Sequence, residues 1–294
     1  MTGVLSGIIV PLLTPLTPAG GIDGTALRKL IRHTIDGGVD VIFAGGSVGL
    51  GALLPDSQWR SMLEISRDEI GRKVPAIAGV METSTPRAIE RIKYLESIGF
   101  GFFVLTPTYY LTLHSAGEFL AHFGKCREAS QMEMIVYNIP SCTGSCIPAD
   151  TILEMARRGW TRMCKESSGD IAYFNDLCAR AGDAGLTVYQ GMRPDFASIG
   201  RQGAGGAVPV IANVLPAIAK QAWVNRSKAN AAAFQREFDQ AWDLLVRPYD
   251  YFSASLYALA KIGIGEGIMI KPFAALSKER KAEIDRYLSD IGFA

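Results

Sequence analysis

Short apolar runs alternate along the chain with stretches whose apolar residues fall at helical spacing. The first run, Ile8-Ile9-Val10-Pro11-Leu12-Leu13-Thr14, shows no polar alternation, which predicts a strand buried on both faces. After a turn at Pro18-Ala19-Gly20-Gly21, Leu27, Leu30, Ile31 and Ile35 mark one helical face, with Asp23 as N-cap and Gly37 as the stop. This unit then recurs. Further strands are predicted over 39–44, 75–80, 101–106, 134–137, 161–165, 186–190 and 207–211. Helices are predicted over 57–70, from a Thr85 N-cap with Pro86 at the first helical position, over 115–129, from Pro148, and between the sixth and seventh strands.

Eight strand-helix units without hairpin signals predict a parallel sheet closed into a (β/α)8 TIM barrel of class α/β. A doubly wound open sheet fits less well, because no G-x-G-x-x-G follows the first strand. The barrel carrying the active site is assigned to residues 1–225, and 226–294 to a helical C-terminal extension.

Composition narrows the partners. Thirty basic residues against 29 acidic ones leave a formal charge of +1, so no global field attracts nucleic acid or anionic lipid. No apolar run reaches the roughly 18–20 residues of a membrane span, and residues 1–7 lack the basic start of a secretory signal. Five scattered cysteines read as free thiols of a reducing cytoplasmic compartment. Cys142 and Cys146 have ligand-like spacing, but no second pair follows, and His33, His114 and His122 form no metal motif. Neither a metal nor an organic cofactor is expected.

In such a barrel the chemistry sits where strands end. That rule selects Thr14, Gly45-Gly46-Ser47, residues 106–110, Tyr137-Asn138, Lys165-Glu166-Ser167-Ser168, Gly191 and Arg193. Lys165 terminates an apolar strand, and a buried lysine is rare without a partner or a purpose. One reading is an ion pair with Glu166 or Asp170. The other is an imine-forming nucleophile, since burial that lowers the ordinary pKa of about 10.4 by about 3 units makes a substantial neutral fraction at pH 7. Tyr137 ends the adjacent strand, either as a core tyrosine or as a proton shuttle for imine chemistry. Gly45-Gly46-Ser47-Val48-Gly49 can converge backbone N–H groups on an anion, although a plain turn explains the glycines equally well. Gly203-Ala204-Gly205-Gly206 precedes the eighth strand and reads as a tight turn on the opposite face.

Three segments resemble the pyruvate-dependent Schiff-base lyases typified by dihydrodipicolinate synthase and N-acetylneuraminate lyase. Tyr137-Asn138-Ile139-Pro140-Ser141-Cys142-Thr143-Gly144 is similar to their Y-N-x-P-x-x-T-G, Lys165-Glu166-Ser167-Ser168-Gly169-Asp170 to K-[DE]-[ST]-S-G-[DN], and Gly46-Ser47-Val48-Gly49 to G-[ST]-T-G. Gly191 and Ala212-Asn213-Val214 extend the similarity over roughly 1–225. The resemblance implies a homotetramer or homodimer in which a 2-oxo acid condenses with Lys165 and Tyr137 acts as general acid and base. It further implies that the carboxylate rests on Ser47 and the Val48 amide beside Gly46, that Val208 and Gly191 line the pocket, and that Tyr109 or Tyr110 enters a neighbouring subunit's site. Three departures stand out: Val48 replaces a second hydroxyl, Leu50 a glutamate, and Cys142 the arginine of dihydrodipicolinate synthases.

The expected activity is therefore a lyase or aldolase acting on pyruvate or a related 2-oxo acid, with an aldehyde as the candidate second substrate, other than aspartate semialdehyde. The alternatives are a 2-keto-3-deoxy sugar acid dehydratase of the same family and a non-catalytic 2-oxo-acid-binding paralogue.

Overall fold

The computed structural model describes residues 3–246 and 251–293, and of Tyr251 only the backbone. Strands β1 (Gly7–Pro11), β2 (Val41–Ala44), β3 (Ala76–Val80), β4 (Phe102–Leu105), β5 (Glu133–Asn138), β6 (Thr161–Glu166), β7 (Thr187–Gln190) and β8 (Gly206–Ala207) pair in chain order, all parallel, and close into a barrel. Helices α1 (Gly24–Asp36), α2 (Asp56–Ile70), α3 (Thr85–Ser97) and α4 (Ala116–Glu128) follow the first four strands. The one-turn α5 (Pro140–Thr143) and α6 (Ala149–Arg157) follow β5, and α7 (Ile171–Ala181), α8 (Phe196–Arg201) and α9 (Pro216–Val224) follow the last three strands. Helices α10 (Ala231–Leu245), α11 (Tyr251–Lys261) and α12 (Lys278–Asp290) form the C-terminal part.

The apolar runs are continuous because each strand is covered on both faces. One set of alternate residues, among them Ile9, Phe43, Ile77, Val104, Ile135, Met163 and Tyr189, fills the barrel lumen. The other set, including Ile8, Val10, Ile42, Ala44 and Cys164, meets the helices. The C-terminal helices share this outer core, since Phe238, Ala241, Leu245, Ala258 and Leu259 are fully buried within it.

Two local expectations shift. The N-cap of α3 is Ser84, not Thr85; Thr85 is the first helical residue, and its hydroxyl lies 3.0 Å from Nδ1 of the buried His122. The eighth strand, expected over 207–211, is only Gly206–Ala207, and Val210–Asn213 forms a 3-10 turn. Pro209 has no N–H to continue the ladder, so the barrel needs another way to finish its seam.

Asn213 supplies it. The side chain is fully buried, accepts from the Leu13 N–H at 2.8 Å, and donates to the Pro11 and Val210 carbonyls, each at 2.9 Å. It thus takes over the pairing of β1 where β8 stops. Asn213→Ala leaves buried backbone groups unpaired, and we expect a loss of about 2–4 kcal/mol in chemical denaturation. A change below about 0.5 kcal/mol shows that the seam closes without it.

Candidate active site

Pleating decides what Lys165 faces. Lys165 lies two residues beyond the lumen residue Met163 and in register with Tyr137 on β5 and Tyr189 on β7. Cys164 and Glu166 point the other way, toward the helices. The ion pair with Glu166 that adjacency in sequence allows is therefore excluded by the strand. Among the described residues no ion pair engages Lys165, which is only 6% exposed. Its Nζ sits 4.0 Å from the Tyr137 ring centroid and 5.1 Å from that of Phe43. Burial lowers its pKa to about 7, against a weaker opposing effect of the nearby Cys142 when ionised.

Beneath the amine the lumen is packed shut. Ile9, Phe43, Ile77, Val104, Ile135, Tyr189 and Val208 leave a void of about 10 Å³, so Lys165 stands on the floor of the barrel mouth. Gly191 makes room for it. A methyl group there would lie 1.9 Å from Ser167 Oγ and 2.8 Å from Lys165 Cε, which no side chain tolerates.

Glu166, on the outer face, organises the loops. Its Oε1 accepts from the Ser168 N–H at 2.6 Å and from Asn138 Nδ2 at 3.2 Å, and burial raises its pKa against these bonds. Asn138, fully buried, accepts in turn from the Ile147 N–H at 3.0 Å, and its carbonyl accepts from the Ser167 N–H at 2.8 Å. The Gly191 N–H donates to the Glu166 carbonyl at 2.7 Å. These bonds lock the segments carrying Tyr137 and Lys165 to each other.

The glycine loop after β2 forms the opposite wall. Gly46 packs against Phe43 so closely that a Cβ would meet the ring at 2.8 Å. Thr14 Oγ1 donates to the Gly49 carbonyl at 2.7 Å and so pins the loop to the end of β1. Ser47 faces the mouth with no partner closer than Met81 Sδ at 4.0 Å, whereas the Val48 side chain packs into the outer core.

Above this floor opens a cavity of about 410 Å³. Ser47, Thr106, Tyr109, Ile139, Cys142 and Thr143 bound it on the barrel side. Thr106, which lines it, and Ser167, against Gly191, are buried with hydroxyls that have no hydrogen-bond partner among the described residues. Tyr109, half-buried, has its pKa raised mainly by burial. Tyr110, its neighbour, behaves differently: it is 89% exposed and has a φ of 75°, a left-handed conformation costly for an aromatic residue. Arg193 does not reach the mouth as a free cation, because Asp243 holds it at 2.6 Å and Asp239 at 3.0 Å.

Phe252, Ser253, Met269 and Phe273 complete the cavity, and none of these was visible as a site residue in the sequence. They lie more than eighty residues beyond Lys165, Phe252 and Ser253 on α11 and Met269 and Phe273 in the segment between α11 and α12, where no local pattern marks a site. Among the described residues no group of three or more His, Cys, Asp or Glu side chains is gathered to hold a metal ion, and no helix is long and apolar enough to cross a membrane.

Comparison with known proteins agrees with this geometry. The chain is 29% identical over 291 residues to the 4-hydroxy-tetrahydrodipicolinate synthase of Chloroherpeton thalassium, covering 98% of this chain and 96% of that one. It is 32% identical over 216 residues to the enzyme of the same name from Methanothermobacter thermautotrophicus, with 72% and 76% covered. A crystal structure of YagE from Escherichia coli in complex with pyruvate, 21% identical, superposes with a TM-score of 0.91 over 99% of this chain and all of that one, a likeness of fold. Residues 4–291 match the Dihydrodipicolinate synthetase family, and with the closed barrel and the lysine at its mouth the chain belongs to that family of pyruvate-dependent aldolases.

Proposed function

We propose that this protein is a cofactor-independent lyase that makes or breaks a carbon–carbon bond next to an imine between Lys165 and pyruvate or a related 2-oxo acid. The observation that carries the reading is a buried lysine at the barrel mouth whose pKa is lowered to about 7 and whose amine lies against the Tyr137 ring. At neutral pH about half of such amines carry a free electron pair, against about one in a few thousand for an ordinary lysine.

The amine adds to C2 of the 2-oxo acid, and loss of water from the carbinolamine leaves a protonated imine. This cation is the electron sink that stabilises the enamine once a proton leaves C3, or once a C3–C4 bond breaks in the reverse direction. Tyr137, 3% exposed beside the amine, moves protons onto and off the carbinolamine oxygen and the substrate. Ser47 and the Val48 amide hold the carboxylate, Gly46 lets that loop approach closely, and Val208 and Gly191 shape the floor around C2.

Tyr110 completes the site of a second copy. Its exposed, strained placement beside Leu111, itself 76% exposed, favours an aromatic presented to another subunit, while Tyr109 lines its own cavity. A homotetramer or homodimer follows from this reading. The dehydratase alternative shares every step up to the imine.

The second substrate differs from that of the named relatives. Cys142 borders the cavity where dihydrodipicolinate synthases resemble one another in carrying an arginine. A thiol offers one weak donor and no fixed charge, so turnover of pyruvate with aspartate semialdehyde is inefficient here.

Borohydride added with pyruvate should give a stable mass increase on the peptide containing Lys165. The initial trapping rate should rise about tenfold per pH unit below about 7 and level off above it, because the neutral amine reacts and its pKa is lowered. A rate still climbing at pH 9 contradicts the burial argument, and an unmodified Lys165 ends the proposal. Tyr137→Phe should keep the fold, read by circular dichroism, while turnover falls by about 10² to 10⁴. Activity within a few fold of wild type removes Tyr137 from proton transfer.

A further inference from the structure

We infer that the second reactant is an uncharged aldehyde whose non-reacting end is an aromatic ring, seated in the cavity above Lys165. The inference rests on the imine reading and specifies the partner that attacks or leaves.

Much of the cavity wall is hydrocarbon and sulfur. Leu53 and Met81 come from the loops after β2 and β3, Ile139 from the end of β5, and Phe252, Met269 and Phe273 from the C-terminal part. Among the described residues no charged side chain borders the cavity. Two of its five hydroxyls are committed elsewhere. Thr143 Oγ1 donates to the Ile139 and Ser145 carbonyls at 3.1 and 3.0 Å, and Ser253 Oγ donates to the Ala274 carbonyl at 3.0 Å.

Nearby cations are occupied as well. Tyr109 lies within electrostatic reach of Arg87 and Arg91. Arg87, however, binds Glu82 at 2.7 Å, and Arg91 is held by Glu82 and by Asp56 at 3.0 Å. Among the described residues, a carboxylate placed in this wall would lose water and gain no charged partner, and a polyol would find fewer hydrogen-bond partners than it has hydroxyls along the apolar part. A flat ring loses little on leaving water and gains the methionine and phenylalanine contacts. At about 410 Å³ the space lies within the usual range of about 300–1,000 Å³ for small-molecule pockets, enough for an aromatic ring.

The step balances without a further reagent. C3 of the enamine attacks the aldehyde carbon, the carbonyl electron pair moves to oxygen, and that oxygen takes a proton. Water then adds to the imine carbon and releases a 4-hydroxy-2-oxo acid and free Lys165. Only the hydroxyl formed at C4 needs a polar neighbour, and Thr106 and Tyr109 border the cavity on the strand side.

The test uses the full chain at saturating pyruvate with three aldehydes: benzaldehyde, 4-carboxybenzaldehyde and glyceraldehyde. Formation of the 4-hydroxy-2-oxo acid is followed by mass spectrometry. We expect kcat/KM for benzaldehyde to exceed both others by at least about 100-fold, since adding a charge or replacing the ring defeats the same wall. Met269→Lys should shift the ratio of 4-carboxybenzaldehyde to benzaldehyde by at least about tenfold toward the acid; an unchanged ratio in the folded variant overturns the inference. If that variant does not fold, the wild-type series decides alone. Borohydride trapping with pyruvate, run beside it, separates the two levels. Failure to trap Lys165 removes the imine reading and this inference with it. Trapping together with a preference for 4-carboxybenzaldehyde or glyceraldehyde, or with no product from benzaldehyde, overturns this inference and leaves the imine reading standing.

Discussion

Everything at the barrel mouth is arranged around one unfavourable burial: an amine, without an ion-pair partner among the described residues, held against aromatic faces. The faces of Tyr137 and Phe43 offer partial compensation to the ammonium form, yet desolvation dominates and lowers the pKa to about 7. The sign of the resulting cost follows from the direction of the shift. The folded pKa lies below the unfolded value of 10.5, so the unfolded chain holds the proton more tightly between these limits and stability rises with pH across that window. At pH 7 and below, Lys165 costs up to about 5 kcal/mol, which the rest of the barrel must offset.

What offsets it is rigid and lies mainly outside the lumen. The Glu166–Asn138–Ile147 bonds hold the loop after β5, and the Ser167 and Gly191 N–H groups tie β6 to β5 and β7. Buried polar groups are costly unless satisfied, and here each bond fixes a strand end that carries a reactive side chain. The same logic explains the seam, where Asn213 replaces the ladder that Pro209 interrupts. The outer face of the strands is thus where position is set, and the inner face is where reactivity is generated.

The mouth combines two kinds of surface for a related reason. Near the strand ends, the hydroxyls of Ser47, Thr106 and Tyr109 border the cavity, polar contacts of the kind the proposed reading needs for a 2-oxo acid. Farther out, the wall formed with the C-terminal part is apolar, and it excludes water from the reacting centre. Tyr110, exposed and in a left-handed conformation, lies outside this cavity, which is why the proposed reading assigns it to a second copy.

The barrel, the two strand-end segments and the position of Lys165 at the end of a strand were legible in the chain itself. Apolar runs of constant length, broken by caps such as Asp23 and the Ser115–Glu118 capping box, depend on local periodicity that survives without coordinates. Lys165 was legible because a lysine ending an apolar strand contradicts its surroundings. The shortened β8 was not, since an apolar run reads the same as a strand or a 3-10 turn until the partner ladder and Pro209 decide between them. Nor was the choice between an ion pair and a lone amine, because neighbours in sequence point to opposite faces once the strand is pleated. Phe252 on α11, and Met269 and Phe273 in the segment that follows it, reach the mouth only through tertiary packing onto the barrel, and no local pattern encodes a contact between residues so far apart. Sequence determined which chemistry is present, and tertiary structure decided what surrounds it, because desolvation and cavity shape arise only when distant segments meet.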